Sequence, residues 1–177
     1  RLAMRISAVY EDAQKIAEAA VAHPYGVIES NDNNPTMQSN SNLSFTYNNP
    51  IHSISSAEGY EEDVMGATMD AYLNGFEDPR RAVFFALSSN GNYRGLRNGH
   101  KNGDIFKGDE GLSKPNIQQG TPYIWMTAAE VFFLRAEGAL KQWDMKGTPE
   151  ALYKSGIRAS FEQHGVKNVE NYLVSTK

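Results

Sequence analysis

Leu2, Ile6 and Val9 share a stripe at helical spacing, and Ala13, Ile16, Ala17, Ala20 and Val21 resume one after Tyr10-Glu11-Asp12. The pattern predicts a helix, a tight corner and a second helix ending before His23-Pro24-Tyr25-Gly26, so that residues 1–23 are helical. Periodicity then stops. From Ser30 the chain is dense in Asn, Ser, Gly and Pro, and a long loop is expected over 24–63, with a short strand at Leu43 to Tyr47. Val64, Met65, Thr68, Met69, Tyr72 and Leu73 restore the spacing and predict a third helix, stopped by Asn74-Gly75. A Pro79 turn follows, then an apolar run of strand type from Ala82 to Leu87 and a second Gly- and Asn-rich loop over 88–111.

The strongest helical signal lies in residues 121–174. Thr127 with Glu130 three residues on forms a capping box, and Met126 with Val131 can close a hydrophobic staple. The helix is expected to run to about Trp143. Lys146-Gly147 makes the turn, and Thr148 caps a partner helix with Pro149 at its first position. Leu152, Tyr153, Gly156, Ile157, Ala159, Ser160 and Phe161 give that helix a broad apolar band, ended by Gly165. A last short helix is expected from Asn168 to Val174. Small residues at Ala128, Ala129, Ala136, Gly138, Ala139, Gly156 and Ala159 let two backbones approach closely. The pair spanning 127–164 has the size of one tetratricopeptide unit. The fold class expected is mainly α, with tetratricopeptide-like helix pairs (an α–α superhelix), long irregular loops and a few short strands.

A length of 177 residues suits one domain, which at this size buries on the order of 70% of its unfolded surface. The net charge of −4 leaves no basic footprint, so nucleic acid is not an expected partner. The chain has no cysteine, which removes disulfides, thiol catalysis and thiolate metal sites. No apolar run approaches the roughly 18 residues of a membrane span. The chain opens on RLAMRI, already inside an amphipathic helix and without a start Met, which reads as a fragment.

Glu130 and Glu137 share one face of the predicted helix and could flank a bond as acid and base. Structural jobs explain both more simply, because Glu130 belongs to the capping box and Glu137 has Lys141 one turn on. Arg135 could bind an anion, but packing its stem on the partner helix while pairing with a carboxylate is the preferred reading. Asp78 and Arg80 bracket Pro79 and are read as a turn motif rather than as ligand groups. His23, His52, His100 and His164 show no metal-ligand spacing. Oxygen-rich clusters at Asn31 to Asn34 and Asp104 to Glu110 lack the calcium-loop register; calcium is kept as an alternative to plain solvated loops, and no other cofactor is expected. No G-x-S-x-G, P-loop or G-x-G-x-x-G occurs.

Several stretches in order, RLAMRIS, KIAEAAV with GVIESN, NGFEDPR, NYRGLRNG and PYIWMTAAEVFFLRAEGAL running into ALYKSGIRASFEQHGV, resemble the SusD/RagB family of outer-membrane nutrient-binding lipoproteins from Bacteroidetes. The resemblance implies a single SusD-like domain fragment over 1–177, built on tetratricopeptide-like pairs. It implies no catalysis, capture of an oligosaccharide or similar nutrient at the cell surface, and delivery to a SusC-like TonB-dependent transporter. It also implies an outer-membrane location through a lipid anchor outside this fragment.

Sugar capture needs a flat aromatic face and a few polar groups, which leave almost no motif. The candidates are aromatic and polar residues in the loops: Tyr47, His52, Tyr60, and Tyr93 beside Arg94, Arg97 and Asn98. Each could instead anchor its loop. The alternative function is a helical-repeat module that binds a protein and no glycan, with a glycan-cleaving enzyme as a more distant third.

Overall fold

A computed structural model describes residues 1–39, 49–55, 63–97, 99 and 111–175. Its elements in chain order are α1 (Leu2–Ile6), α2 (Ala13–Ala22), a 3-10 turn (Asn31–Asn33), β1 (Thr36–Met37), α3 (Pro50–Ser55), α4 (Ala67–Gly75), α5 (Arg81–Phe84), β2 (Tyr123–Ile124), α6 (Ala128–Leu140), α7 (Pro149–Gln163) and α8 (Val169–Val174). The fold is mainly helical, with β1 paired to β2. The chain divides into two compact units: residues 1–36 with 124–174, and residues 37–123 with 175–177.

The first unit is built on the α6–α7 hairpin. Thr127 Oγ1 accepts from Glu130 N–H at 3.0 Å and Thr148 Oγ1 from Ala151 N–H at 3.2 Å, so a hydroxyl caps the start of each helix. The close approach predicted from small residues is visible at Gly156, where a Cβ would stand 2.6 Å from the Phe133 ring. Ala128, Ala129 and Ala159 form one buried cluster, and Ala136, Met145 and Leu152 a second, against which Ala17, Val21 and Trp143 pack. Phe161 is 1% exposed and meets the Tyr172 ring of α8 at 5.2 Å. Burying that phenyl group alone contributes about 2–3 kcal/mol.

α6 ends at Leu140, three residues before the expected Trp143. Gln142 takes the left-handed conformation (φ 65°), its N–H reaches Ala139 O at 3.0 Å, and Trp143 N–H reaches Gly138 O at 3.0 Å. This is a Schellman closure with glutamine where glycine is usual, so composition carries no stop signal there.

The second unit departs further from the pattern. Met65 N–H donates to Ser113 O, Leu96 N–H to Met65 O and Ala67 N–H to Leu96 O, each at 2.7 Å. Val64 and Met65 are therefore extended, Gly66 bridges Leu96 in parallel, and α4 begins only at Ala67. It ends at Gly75, at the expected Asn74-Gly75 stop, and the chain closes over Glu77 (φ 49°), with Asp78 N–H on Leu73 O at 2.8 Å. The strand expected over Ala82 to Leu87 is helical at its start: α5 covers Arg81–Phe84, because the Asp78-Pro79 turn sets Arg81 N–H on Asp78 O at 3.1 Å. Extended pairing begins at Phe85, which bridges Pro115 antiparallel. α3 and the 3-10 turn lie inside the stretch expected to be loop, while the strand expected at Leu43 to Tyr47 falls outside the described residues.

Candidate functional site

The charged residues of α6 are engaged in ion pairs. Both oxygens of Glu130 bind the Arg1 guanidinium, one to Nε at 2.5 Å, and Arg1 Nη2 also donates to Trp125 O at 3.1 Å. The reciprocal half of the capping box is thus replaced: Thr127 caps, and the Glu130 carboxylate fastens the chain's first residue. Glu137 lies 3.9 Å from Lys141, one turn on. Arg135, 6% exposed, donates to Met145 O at 3.0 Å, Lys146 O at 3.4 Å and Glu29 Oε1 at 2.5 Å. It satisfies carbonyls that α7's preceding turn would otherwise leave dry.

Asp78 is buried and its carboxylate accepts from Arg80 at the backbone N–H (2.9 Å), at Nε (3.0 and 3.2 Å) and at Nη2 (2.5 Å). The arginine fork and the turn are therefore one device.

Asn31 and Asn34, grouped from sequence as conceivable calcium ligands, have their amides in the frame. Asn31 Nδ2 donates to Ala159 O at 2.9 Å and Glu162 Oε2 at 3.1 Å, and Asn34 Oδ1 accepts the first N–H of α6, Ala128, at 2.8 Å. Asn34 is a cap supplied from 94 residues away, which no local pattern could show. Among the described residues no group of three or more His, Cys, Asp and Glu is placed to hold a metal ion; Asp104 to Glu110 lie outside them.

Of the binding candidates, Tyr47, Tyr60 and Asn98 lie outside the described residues. Tyr93, Arg94 and Arg97 share one braced segment. Tyr93 O accepts from Asn74 Nδ2 at 2.9 Å, Arg94 N–H donates to Ser113 Oγ at 3.1 Å, and Gly95 N–H donates to Asp70 Oδ2 at 2.7 Å. The Arg81 guanidinium stands 5.3 Å over the Tyr93 ring, so one face of that ring is taken by a cation–π contact. Arg94 and Arg97 are exposed beside it. His52 sits half-buried on α3, whose start is capped by Asn49 Oδ1 accepting from Ile51 N–H at 2.9 Å. No contact among the described residues joins His52 to the Tyr93 segment.

Several hollows lie within the first unit, two of them lined by residues of the first two helices and the corner between them. One, about 380 Å³, is apolar and lined by Leu2, Met4, Ile16, Val21, Val131 and Met145 among others. The other, about 550 Å³, is an open polar cleft lined by Ser7, Ala8, Val9, Tyr10, Glu11, Ala13, Gln14 and Trp143. From sequence, Tyr10 and Glu11 served only as a helix corner and Trp143 as a helix end.

A family model described as SusD and RagB outer membrane lipoprotein (SusD-like) matches residues 1–177. A chitin-binding SusD homologue from Flavobacterium johnsoniae is similar in structure, with a TM-score of 0.88 and 36% identity over 99% of this chain and 36% of its own. A SusD homologue from Bacteroides uniformis has a TM-score of 0.88 and 37% identity over 99% of this chain and 37% of its own. One from Bacteroides vulgatus has a TM-score of 0.84 and 34% identity over 98% of this chain and 35% of its own. The chain thus spans little more than a third of the length of these structures. No curated protein sequence matches it.

Proposed function

The chain belongs to the SusD-like family of SusD and RagB outer membrane lipoproteins, and on that premise we propose that it takes part in binding a glycan or comparable nutrient at the cell surface. The bound nutrient is then delivered, unmodified, to a SusC-like TonB-dependent transporter. The observation that carries this reading is the family match over residues 1–177, together with a chitin-binding relative that is 36% identical over nearly all of this chain.

The side chains agree with capture without turnover. Glu130 and Glu137, the carboxylates weighed from sequence as an acid–base pair, are engaged by Arg1 and Lys141. A general acid must instead stay within reach of the bond it protonates. Stacking and hydrogen bonding are sufficient for saccharide binding, and the reading requires no cofactor.

A glycan array probed with the full chain, followed by calorimetry on the hits, tests the reading. Saturable binding with the glycan recovered intact is expected. Absence of binding across the array, combined with co-purification of a transporter, would favour the helical-repeat adaptor instead. Release of reducing ends that disappears in Glu130→Gln or Glu137→Gln would overturn the non-catalytic assignment.

A further inference from the structure

In the second unit two side-chain donors without an acceptor meet over a buried glycine. Residues 88–92 form a tight turn: Gly91 N–H donates to Ser88 O at 2.9 Å, Ser88 N–H donates to Asn92 O at 2.8 Å, and Gly91 is left-handed (φ 73°). A short hairpin loop with glycine in its last place closes in this way, and it leaves Asn90 exposed at the tip. The returning segment is fixed from the other side. Ser113 N–H donates to Arg94 O at 2.9 Å, and Arg94 N–H donates to Ser113 Oγ at 3.1 Å. Turn and pairing together bring Asn90 and Arg94 to Gly111, which is buried.

A Cβ at Gly111 would stand 2.7 Å from Asn90 Nδ2 and 3.8 Å from Arg94 Nη1. An amide nitrogen and a guanidinium nitrogen therefore converge on one point, above a residue whose φ of 96° disfavours any side chain. Neither nitrogen has an acceptor among the described residues. Both backbones are held, so the pair is positioned before any ligand arrives and the ordering cost of binding is low.

Charge selects the ligand. Arg94 and Arg97 lie exposed on this segment, and the Arg81 guanidinium stands 5.3 Å over the Tyr93 ring. The carboxylate bonded to the segment, Asp70, is taken up by Gly95 N–H at 2.7 Å and Asn74 Nδ2 at 2.6 Å. A cationic ligand is repelled here, and a lone hydroxyl leaves the Arg94 charge without a counter-charge. An oxyanion accepts from both nitrogens at once, and the planar guanidinium suits carboxylate and sulfate alike. We propose that Asn90 and Arg94 form an oxyanion site for a carboxylate or sulfate ester carried by the captured nutrient. The ligand is then an acidic saccharide, a narrowing that rests on the glycan-binding reading above.

Calorimetry on the full chain with matched ligands tests the site. Trigalacturonate against its methyl ester isolates the carboxylate, and a κ-carrageenan tetrasaccharide against its desulfated form isolates the sulfate. At least one charged member is expected to bind about tenfold more tightly than its neutral counterpart, as one charge-assisted hydrogen bond requires. That preference should shrink as NaCl is raised. The pair that shows it identifies the oxyanion. Asn90→Asp turns the exposed donor into a carboxylate facing Arg94, and both it and Arg94→Ala should weaken the charged ligand about tenfold. Neither should move the neutral counterpart by more than about twofold, since its hydroxyls do not need the charge. Circular dichroism melting checks the fold of each variant, and if Arg94→Ala is unfolded Asn90→Asp decides. Equal affinity for charged and neutral members, or a charge preference untouched by both variants, overturns the oxyanion site while glycan capture stands. If none of the four ligands binds, the oxyanion site is overturned, and the array result alone then decides the broader reading.

Discussion

The two compact units are held together by different means. In the first, the described buried residues are apolar with the exception of Arg135: Ala3, Met4, Ala13, Ala128, Ala129, Val131, Ala136, Met145, Leu152, Ile157, Ala159 and Phe161. Among the described residues of the second, buried Met65 and Leu73 stand beside buried Asn49, Asp78, Ser88 and Ser113. Helices meeting through small residues bury side-chain surface efficiently, and their backbone bonds are internal. Short extended segments have no such ladder. Each of their N–H and C=O groups needs a partner from elsewhere, and buried Asp, Ser and Asn side chains provide several of them. The first unit should thus respond mainly to changes of volume, and the second to loss of a single polar group.

The largest effect that can break this contrast is at Asp78. Asp78→Ala removes the acceptor of the backbone and guanidinium hydrogen bonds of Arg80 at a buried position and should cost about 4 kcal/mol in urea denaturation. Hydrogen exchange should place the loss among residues 63–97, and a cost below about 1 kcal/mol would end the claim that polar contacts hold this unit. Next is Gly95→Ala, whose Cβ would meet Gly66 O at 2.6 Å and Gly66 C at 2.8 Å. Backbone must move, so about 3 kcal/mol is expected from the same measurement, with the amide of Ala67 exposed to exchange. In the first unit, Gly156→Ala meets only the Phe133 ring, at 2.6 Å. A side chain can yield where backbone cannot, and about 2 kcal/mol is expected in the urea midpoint, partly restored by Phe133→Leu.

The smallest effect concerns acid. The Glu18 carboxyl lies below its ordinary 4.5 because it accepts from the Asp144 N–H and, second, from Gln14. A carboxyl depressed in the folded state stabilises fully above its unfolded pKa, and the benefit is lost as pH falls through the lower folded value. Tm measured from pH 6 to pH 3 should therefore fall more steeply in the natural chain than in Glu18→Gln, which keeps an acceptor but does not titrate. Parallel curves would show that this exposed bridge carries no linkage.

Helices α6 and α7 were legible because Thr127, Thr148 and Pro149 lie next to the apolar periodicity they begin. The SusD-like order of motifs was legible for the same reason, since each motif is local. The end of α4 at Gly75 was legible too, whereas α6 closes over Gln142, a residue with no preference for the left-handed conformation. The reading of Val64 and Met65 as helix failed because the Met65 N–H and carbonyl are taken by Ser113 and Leu96, far along the chain. The candidate loop aromatics could be named from composition, but the cation–π contact covering Tyr93 depends on Arg81, which lies in another element.

The sequence by itself determined the helical class, the caps and glycines of the α6–α7 pair, and the family, because these depend on residues within one or two turns of each other. Only the tertiary structure decided that Glu130 serves Arg1, that Asn34 caps α6, and that Tyr10 and Trp143 face one cleft. Those pairings join residues about a hundred positions apart. What selects them is the demand of each buried or terminal polar group for a partner, and that demand is settled by proximity in space.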